Sequence, residues 1–370
     1  MGALREVLAR FGPAYEEHYA DRMPPGHRRT LSDLLACGTP LMGGHTVTCI
    51  DCECSRYHPH SCRNPMCPIC RGSEIDMWIA KRANEILPVP YFHLTFTVPA
   101  ELRQAIRKQP KELLNALISS VADTIQQVAS RKLHGKLGFM TALHTWGRSL
   151  VWHSHVHVLV PALVVYPDHR FCVLDSKFLL NVRALSEVFR AIFLKRARAI
   201  DPGIPEIEWS KKWVVHCRPC SEGPVNVIRY LGRYAKSAPI TDKQILGYDE
   251  NSISYRFKDH RTQRQRTALV TPFEFLRRFL QHTLPKGFHR IRHYGFLAPG
   301  ARPKLRALQL KLIVGLSALT PMIAELKEPF LQRTAMSCPK CGSTNLRHVD
   351  FLPPQRELVF PRYHAFHDSS

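Results

Sequence analysis

His153, His155 and His157 alternate with apolar residues in the stretch VWHSHVHVLV, residues 151–160. Strand side chains point to opposite faces in turn, so the three imidazoles share one face with Val151 and Leu159. Trp152, Val156, Val158 and Val160 line the other. Two imidazoles one residue apart can hold a single divalent ion and leave positions open for a phosphate oxygen. Further on, EGPVNVIRYLGRYAKSAP has a start signal at Gly223–Pro224 and a stop at Pro239, and reads as a helix. Tyr230 and Tyr234 lie one turn apart on that helix, on a ridge with Asn226, beside an apolar ridge of Val227, Leu231 and Ala235. A phenol held in line can attack a phosphodiester made electrophilic by the ion and form a phosphotyrosine. His155 and His157 are therefore candidate ion ligands, with His153 a further candidate, and Tyr230 and Tyr234 are candidate nucleophiles.

Cysteine offers a second chemistry. The N-terminus carries acidic residues and lacks a signal-type apolar core, so a cytoplasmic location is expected, where twelve cysteines argue for metal rather than disulfides. In CIDCECSRYHPHSCRNPMCPIC, the pairs Cys49–Cys52 and Cys67–Cys70 have the spacing of two knuckles, which together can give four thiolates to one tetrahedral zinc. Cys54, Cys62, His58 and His60 lie between them, leaving ligand exchange or a second ion open, with Cys62 as an added ligand candidate. A third pair, Cys338–Cys341, has no second CxxC after it and would need His348, His364 or His367. Cys217 and Cys220 read as ordinary thiols beside a turn.

These groups need a scaffold, and 370 residues with 45% hydrophobic content can build one of two or three domains. YFHLTFTV (91–98), GFMTALHTWG, VWHSHVHVLVPALVV and KWVVHCRP (212–219) read as strands; residues 1–36, 74–87, 100–135 and 175–200 read as helices. The expected class is α+β: a central antiparallel sheet carrying the histidine strand, covered by helices, plus an N-terminal zinc-binding module. The expected divisions are 1–87 for the N-terminal helix, zinc module and helical linker, 88–245 for the sheet domain, 246–330 for a basic region and 331–370 for a C-terminal tail. Lys and Arg outnumber Asp and Glu by 52 to 30, a net charge of +22 that points to a polyanionic partner, nucleic acid first. No apolar run approaches the roughly 20 residues needed to cross a bilayer, so no membrane partner is expected.

The His-hydrophobic-His strand followed by a Tyr-xxx-Tyr helix resembles the HUH superfamily of single-strand DNA nucleases. The chain as a whole is similar to the two-tyrosine rolling-circle transposases of the insertion-sequence-ninety-one family. LACGTPLMGGH, SCRNPMCPIC, LPVPYFHLTFTVP, LHTWGRSLVWHSHVHVLVP, WVVHCRP, VIRYLGRYAKSAPIT and EFLRRFLQHTLPKGFHRIRHYGFLA carry the likeness, in order and over nearly the full length. Two departures stand out: Met66 replaces the histidine usual before CP in the cysteine block, and ALVVYPD replaces the glycine cluster usual after the histidine strand. The resemblance implies a transposase that nicks and joins single-stranded DNA at mobile-element ends and at the target. His155 and His157 would hold Mg2+ or Mn2+, with His153, His144 and His93 as third-ligand candidates in that order. Tyr230 or Tyr234 would keep the 5′-phosphate and release a 3′-OH. Contacts to DNA are expected from Arg63 and Arg71 of the zinc module, from Arg229 and Arg233 beside the tyrosines, and from Arg277, Arg278, Lys286, Arg290 and Arg292, where cations alternate with aromatic rings. A rolling-circle replication initiator and a non-catalytic zinc-dependent DNA-binding protein are the rival readings.

Overall fold

The N-terminal segment forms two helices, α1 (Ala3–Tyr19) and α2 (Pro25–Ala36). Leu4, Val7, Leu8, Phe11 and Tyr15 recur at helical spacing along α1, and all are buried. Pro25 sits in the first turn of α2, where its missing N–H breaks no helical bond. In this computed structural model the described residues are 2–147, 149–174, 177, 179–207, 213–220, 226, 232, 238–259, 262–312, 320–321, 324, 327–328 and 337–353. Tyr230 and Tyr234, with Arg229 and Arg233, lie outside them.

Next come β1 (Gly44–Cys49) and β2 (Ser55–Pro59), a hairpin, and α3 (Pro68–Ala83). The helix begins at Pro68 rather than at residue 74, because proline suits a first turn and Cys67 caps it in an extended conformation. The chain continues through β3 (Tyr91–Thr97), α4 (Arg103–Lys108), α5 (Pro110–Leu133), β4 (Lys136–Leu137), β5 (Phe139–Trp146), β6 (Trp152–Pro161), β7 (Leu163–Val165) and β8 (Phe171–Val173). α6 (Val182–Ile200) starts where the Asn181 side chain accepts hydrogen bonds from the N–H groups of Arg183 and Ala184, and β9 (Val215–Pro219) follows. Beyond lie β10 (Ile245–Tyr248), β11 (Ile253–Lys258), β12 (Gln265–Val270), α7 (Pro272–Leu280), β13 (Ile291–Tyr294), α8 (Arg302–Lys311) and β14 (Leu346–Leu352).

The class is α+β. Five strands in the order β13-β5-β6-β3-β9, all antiparallel to their neighbours, make the central sheet. One face packs Leu94, Phe96, Val156, Val158 and Val160 against α5 and α6 in the largest core. Fully burying such side chains contributes about 1.5–3 kcal/mol each. Phe96, edge-on to Phe189 at 5.2 Å, is a contact whose truncation costs about 3–5 kcal/mol. Part of the opposite face is covered where Tyr91, Met140 and Leu159 meet Phe296, Leu305 and Leu308. Gly295 makes this turn possible: its φ is +59°, and the Leu137 carbonyl oxygen occupies the space a Cβ would need.

A second core joins α1 and α2 to α7 and to the sheet β10-β11-β12, so the first part of the 246–330 region packs against the N-terminal helices. The third sheet, β14-β1-β2, joins the two ends of the chain: β14, from the segment expected to be a tail, is an edge strand of the N-terminal module. The short strands β4, β7 and β8 form a fourth sheet. Among the described residues, no helix is long and apolar enough to cross a membrane.

Candidate functional site

β6 lies at the middle of the central sheet, so His155 and His157 sit between β5 on one side and β3 on the other. His155 is opposite His144 of β5, and His157 is flanked by Ala142 of β5 and Thr95 of β3. The structure brings together His144, His155 and His157, with candidate ligand nitrogens within 4.8 Å of one another. His153 is not in this group. Strand residues rise about 3.4 Å each, so a residue four positions from His157 is roughly 13 Å away and cannot share an ion with it. Cross-strand neighbours have Cβ atoms only about 5 Å apart, which is how His144, the second of the three further candidates, joins this group.

What His153 does supply is its backbone carbonyl, which accepts a hydrogen bond of 2.8 Å from His155 Nδ1. That bond sets the tautomer and leaves the His155 Nε2 lone pair for a ligand. His93 Nε2 lies 2.9 Å from His157 Nδ1, an outer contact of the same kind. The His144 ring is stacked on Trp146, with centroids 4.8 Å apart and planes 13° from parallel. His144 and His157 are 3% and 7% exposed. Burial, reinforced by repulsion from His144, His155 and His93, holds the His157 pKa well below the usual imidazole value. Burial also lowers His93 to about 4, with Arg218 and His216 adding to the effect. Neutral imidazoles are what a divalent ion needs as ligands.

The tyrosine pair falls outside the described residues, but Gly232 between them does not. Gly232 is buried, and a Cβ there would meet Ile79 Cγ1 at 2.6 Å and Trp78 Cε3 at 3.5 Å. Gly232 therefore rests closely on α3.

The four cysteines expected to share one ion are divided between two clusters. Cys67 and Cys70, at the start of α3, meet Cys37 from the end of α2 and Cys62; Cys49 and Cys52 meet Cys338 and Cys341. The grouping follows from the elements: the first turn of α3 carries one knuckle toward α2, while pairing of β1 with β14 brings the third knuckle to the first. Ile50 N–H donates to the Asn345 carbonyl at 2.9 Å and Asn345 Nδ2 donates to Asp51 at 3.0 Å, locking these turns together. Sulfur separations of 3.5 Å (Cys37–Cys67), 3.8 Å (Cys62–Cys70), 3.6 Å (Cys49–Cys341) and 3.5 Å (Cys52–Cys338) approach the edge of about 3.8 Å that a zinc tetrahedron with 2.3 Å bonds requires. Hydrogen bonds from Cys62, Cys67 and Cys70 pull the Cys37 thiol far down, while hydrogen bonding with Cys37, then burial and last repulsion from Cys67, push Cys62 and Cys70 up. A divalent cation is the charge that lets all four ionise. Cys338 and Cys341 thus find cysteine partners rather than His348; His364 and His367 lie outside the described residues. Cys37, a lone cysteine with no CxxC spacing, gave no ligand signal of its own, although it lies in LACGTPLMGGH, one of the stretches that carry the family likeness.

Of the expected DNA contacts, Arg63, Arg71, Lys286 and Arg290 line one cleft, and Arg277 and Arg278 line another. Arg292 does not join them; its guanidinium donates to Asn115 Oδ1 and lies over the Phe288 ring.

A family model described as "Putative transposase" matches residues 138–305, the span that holds the three clustered histidines and both tyrosines. Another, described as "Transposase zinc-binding domain" and assigned to IS91, matches residues 7–98 and so includes six of the eight clustered cysteines, all but Cys338 and Cys341. The chain is similar to "Putative transposase y4qJ" of Sinorhizobium fredii, 32% identical over 94% of each chain. It is also similar to "Transposase for insertion sequence element IS801" of Pseudomonas savastanoi pv. phaseolicola, 28% identical over 85% of this chain and 81% of that one.

Proposed function

This chain belongs to the IS91 family of transposases, and on that premise we propose that it nicks and rejoins single-stranded DNA at the ends of a mobile element through Tyr230 and Tyr234. The phenolic oxygen of one tyrosine attacks phosphorus and loses its proton. As the tyrosine O–P bond forms, the P–O3′ bond breaks, which leaves a free 3′-OH and a 5′-phosphate on the protein. The second tyrosine permits another cleavage while the first is loaded, and attack by a 3′-OH on the phosphotyrosine reverses the step and joins strands in the rolling-circle manner.

His144, His155 and His157 are the residues to hold Mg2+ or Mn2+. When bound, that ion supplies Lewis acidity toward a phosphate oxygen. His93 and the His153 carbonyl orient the ligand rings, and Trp146 backs His144. Cys37, Cys62, Cys67 and Cys70 hold one structural zinc, and Cys49, Cys52, Cys338 and Cys341 a second. The observation that carries the reading is the convergence of three imidazoles from two neighbouring strands of the central sheet, within the span matched by the transposase family. Incubation of the protein with a labelled single-stranded element end and Mn2+ is expected to give a covalent protein–DNA adduct that His155→Ala and His157→Ala both lose. Adduct formation that persists in chelator, or in both variants, would overturn the assignment.

A further inference from the structure

Between the Cys37 cluster and the segment 283–293 lies a cleft of 740 Å³. It shares Arg29, Lys286 and neighbouring residues with a second cleft of 610 Å³, which shares Arg107, Trp152 and Gln281 with a third of 880 Å³. Clefts with common walls form one groove. Those walls carry ten lysines and arginines against three carboxylates. Glu74 is paired with Arg71, and Asp33 accepts a hydrogen bond from Asn64. The positive charge of the groove is therefore in excess.

Two of these cations are buried: Arg71, 4% exposed and paired with Glu74, and Arg290. Arg290 is 8% exposed, its Nη2 has no hydrogen-bond partner among the described residues, and its guanidinium lies over the Trp146 ring at 5.9 Å. Burial and the neighbouring Arg71 lower its pKa to about 9, with Glu74 opposing. Arg107 and Arg277 repel one another further along. A buried cation set among like charges is a poor arrangement for the protein alone and a good one around a phosphate, which offers oxygens for charge-assisted bonds.

We propose that this groove is the track of a single DNA strand and that Arg290 is its phosphate anchor, holding the strand beside the histidine cluster. Arg290 contacts Trp146, and Trp146 stacks on His144, so the anchor is one ring away from the candidate ion site. Trp78 and Phe288, half-buried in the same wall, offer faces on which unpaired bases stack, which a duplex does not supply. The inference rests on the transposase reading above.

The test uses the full-length, zinc-loaded protein and a fluorescein-labelled oligothymidine titrated at several salt concentrations. Arg290→Gln is expected to weaken binding roughly tenfold, the equivalent of one charge-assisted bond, and to reduce the slope of log Kd against log salt by about 0.7. Lys286→Gln, at an exposed position shared by two of the clefts, removes a charge without touching the core and is expected to reduce the slope similarly. Arg183→Gln, at an exposed position of α6 that lines none of the three clefts, removes the same charge away from the groove and should leave the slope unchanged. The groove is overturned if Arg290→Gln and Lys286→Gln both bind like wild type, if Arg183→Gln loses as much as they do, or if duplex competes as well as single strand. Adduct formation by His155→Ala separates the two readings. Its loss with unchanged binding by the groove variants removes the groove alone, and its persistence with weakened binding removes the chemistry alone.

Discussion

If His144 completes the ion site, single alanine substitutions will weaken Mn2+ binding in the order His144, His93, His153. Partners that merely orient a metal ligand are worth about 10–100-fold in affinity. His93 is such a partner, through its 2.9 Å contact with His157 Nδ1, so His93→Ala should fall in that range. His144 offers a ring nitrogen directly, within 4.8 Å of those of His155 and His157, and its loss should cost at least about 100-fold, or about 2.7 kcal/mol. His153 acts through a carbonyl that every residue possesses, so His153→Ala should change affinity by no more than about twofold, the scale of an ordinary surface substitution. Free Mn2+ can be followed by electron paramagnetic resonance during titration, in protein whose zinc content is intact. His144 is also buried against Trp146, so its alanine variant should lose about 1–3 kcal/mol of stability, and titration below each variant's melting temperature keeps the two effects apart. Loss of Mn2+ binding by His153→Ala with full binding by His144→Ala would refute the reasoning.

Elemental analysis should give two zinc ions per chain, with Cys37→Ser and Cys338→Ser each losing one. A structural zinc contributes about 10–16 kcal/mol of apparent binding free energy, so Cys338→Ser should also expose β14 to limited proteolysis, and a single zinc in the wild type would contradict the division into two clusters. Tyr230→Phe combined with Tyr234→Phe should leave a folded protein that forms no adduct, and a nucleotide found by mass spectrometry on any other residue would remove the nucleophile assignment. Gly232→Val should overpack against Ile79 by about 1–3 kcal/mol and depress adduct yield, with Ile79→Ala restoring part of it; no restoration would mean that the contact is not what matters. Burial, reinforced by Arg107 and opposed by the Leu150 carbonyl, lowers the His282 pKa from 6.5 to about 3. A histidine depressed in the folded state contributes fully above its unfolded pKa and loses that contribution as pH falls from about 6.5 toward 3, at about 1.4 kcal/mol per unit. Urea melts near pH 7 and pH 5 should therefore show His282→Gln losing roughly 2 kcal/mol less than wild type, and equal losses would exclude His282 as the source.

The pleat repeats every two residues, a local rule, so His155 and His157 could be read from the chain as a pair on one strand face. The third histidine depends on which residue of β5 falls opposite His155, and register between strands is not written in either strand alone. Strand rise by itself sets His153 well apart from His157, so part of that arrangement was available. The CxxC spacings marked three knuckles in the same local way. Their partners were not legible, because proximity in sequence favoured joining Cys52 to Cys67, while pairing of β1 with β14 and the early start of α3 pulled them apart. Element ends moved where a cap decided them, at Pro68 and Asn181. The cation runs pointed to Lys286 and Arg290, yet Arg29 and Arg107 sit on separate helices and join the groove only once the chain has folded.

Cys49 and Cys52 leave the ribosome long before their partners, which follow 286–292 residues later. At about 5–20 residues per second, the first knuckle of a nascent chain waits roughly 15–60 s for the last. The cluster of Cys37, Cys62, Cys67 and Cys70 has no such delay and can close while most of the chain is still unmade. During the wait two thiols on an open hairpin are exposed to oxidants and to competing metals, and one edge of β1 has no strand beside it. Finishing translation and closing the N-terminal sheet are thus one event, and a product broken off before residue 338 is left with a bare β1 edge open to pairing with another chain.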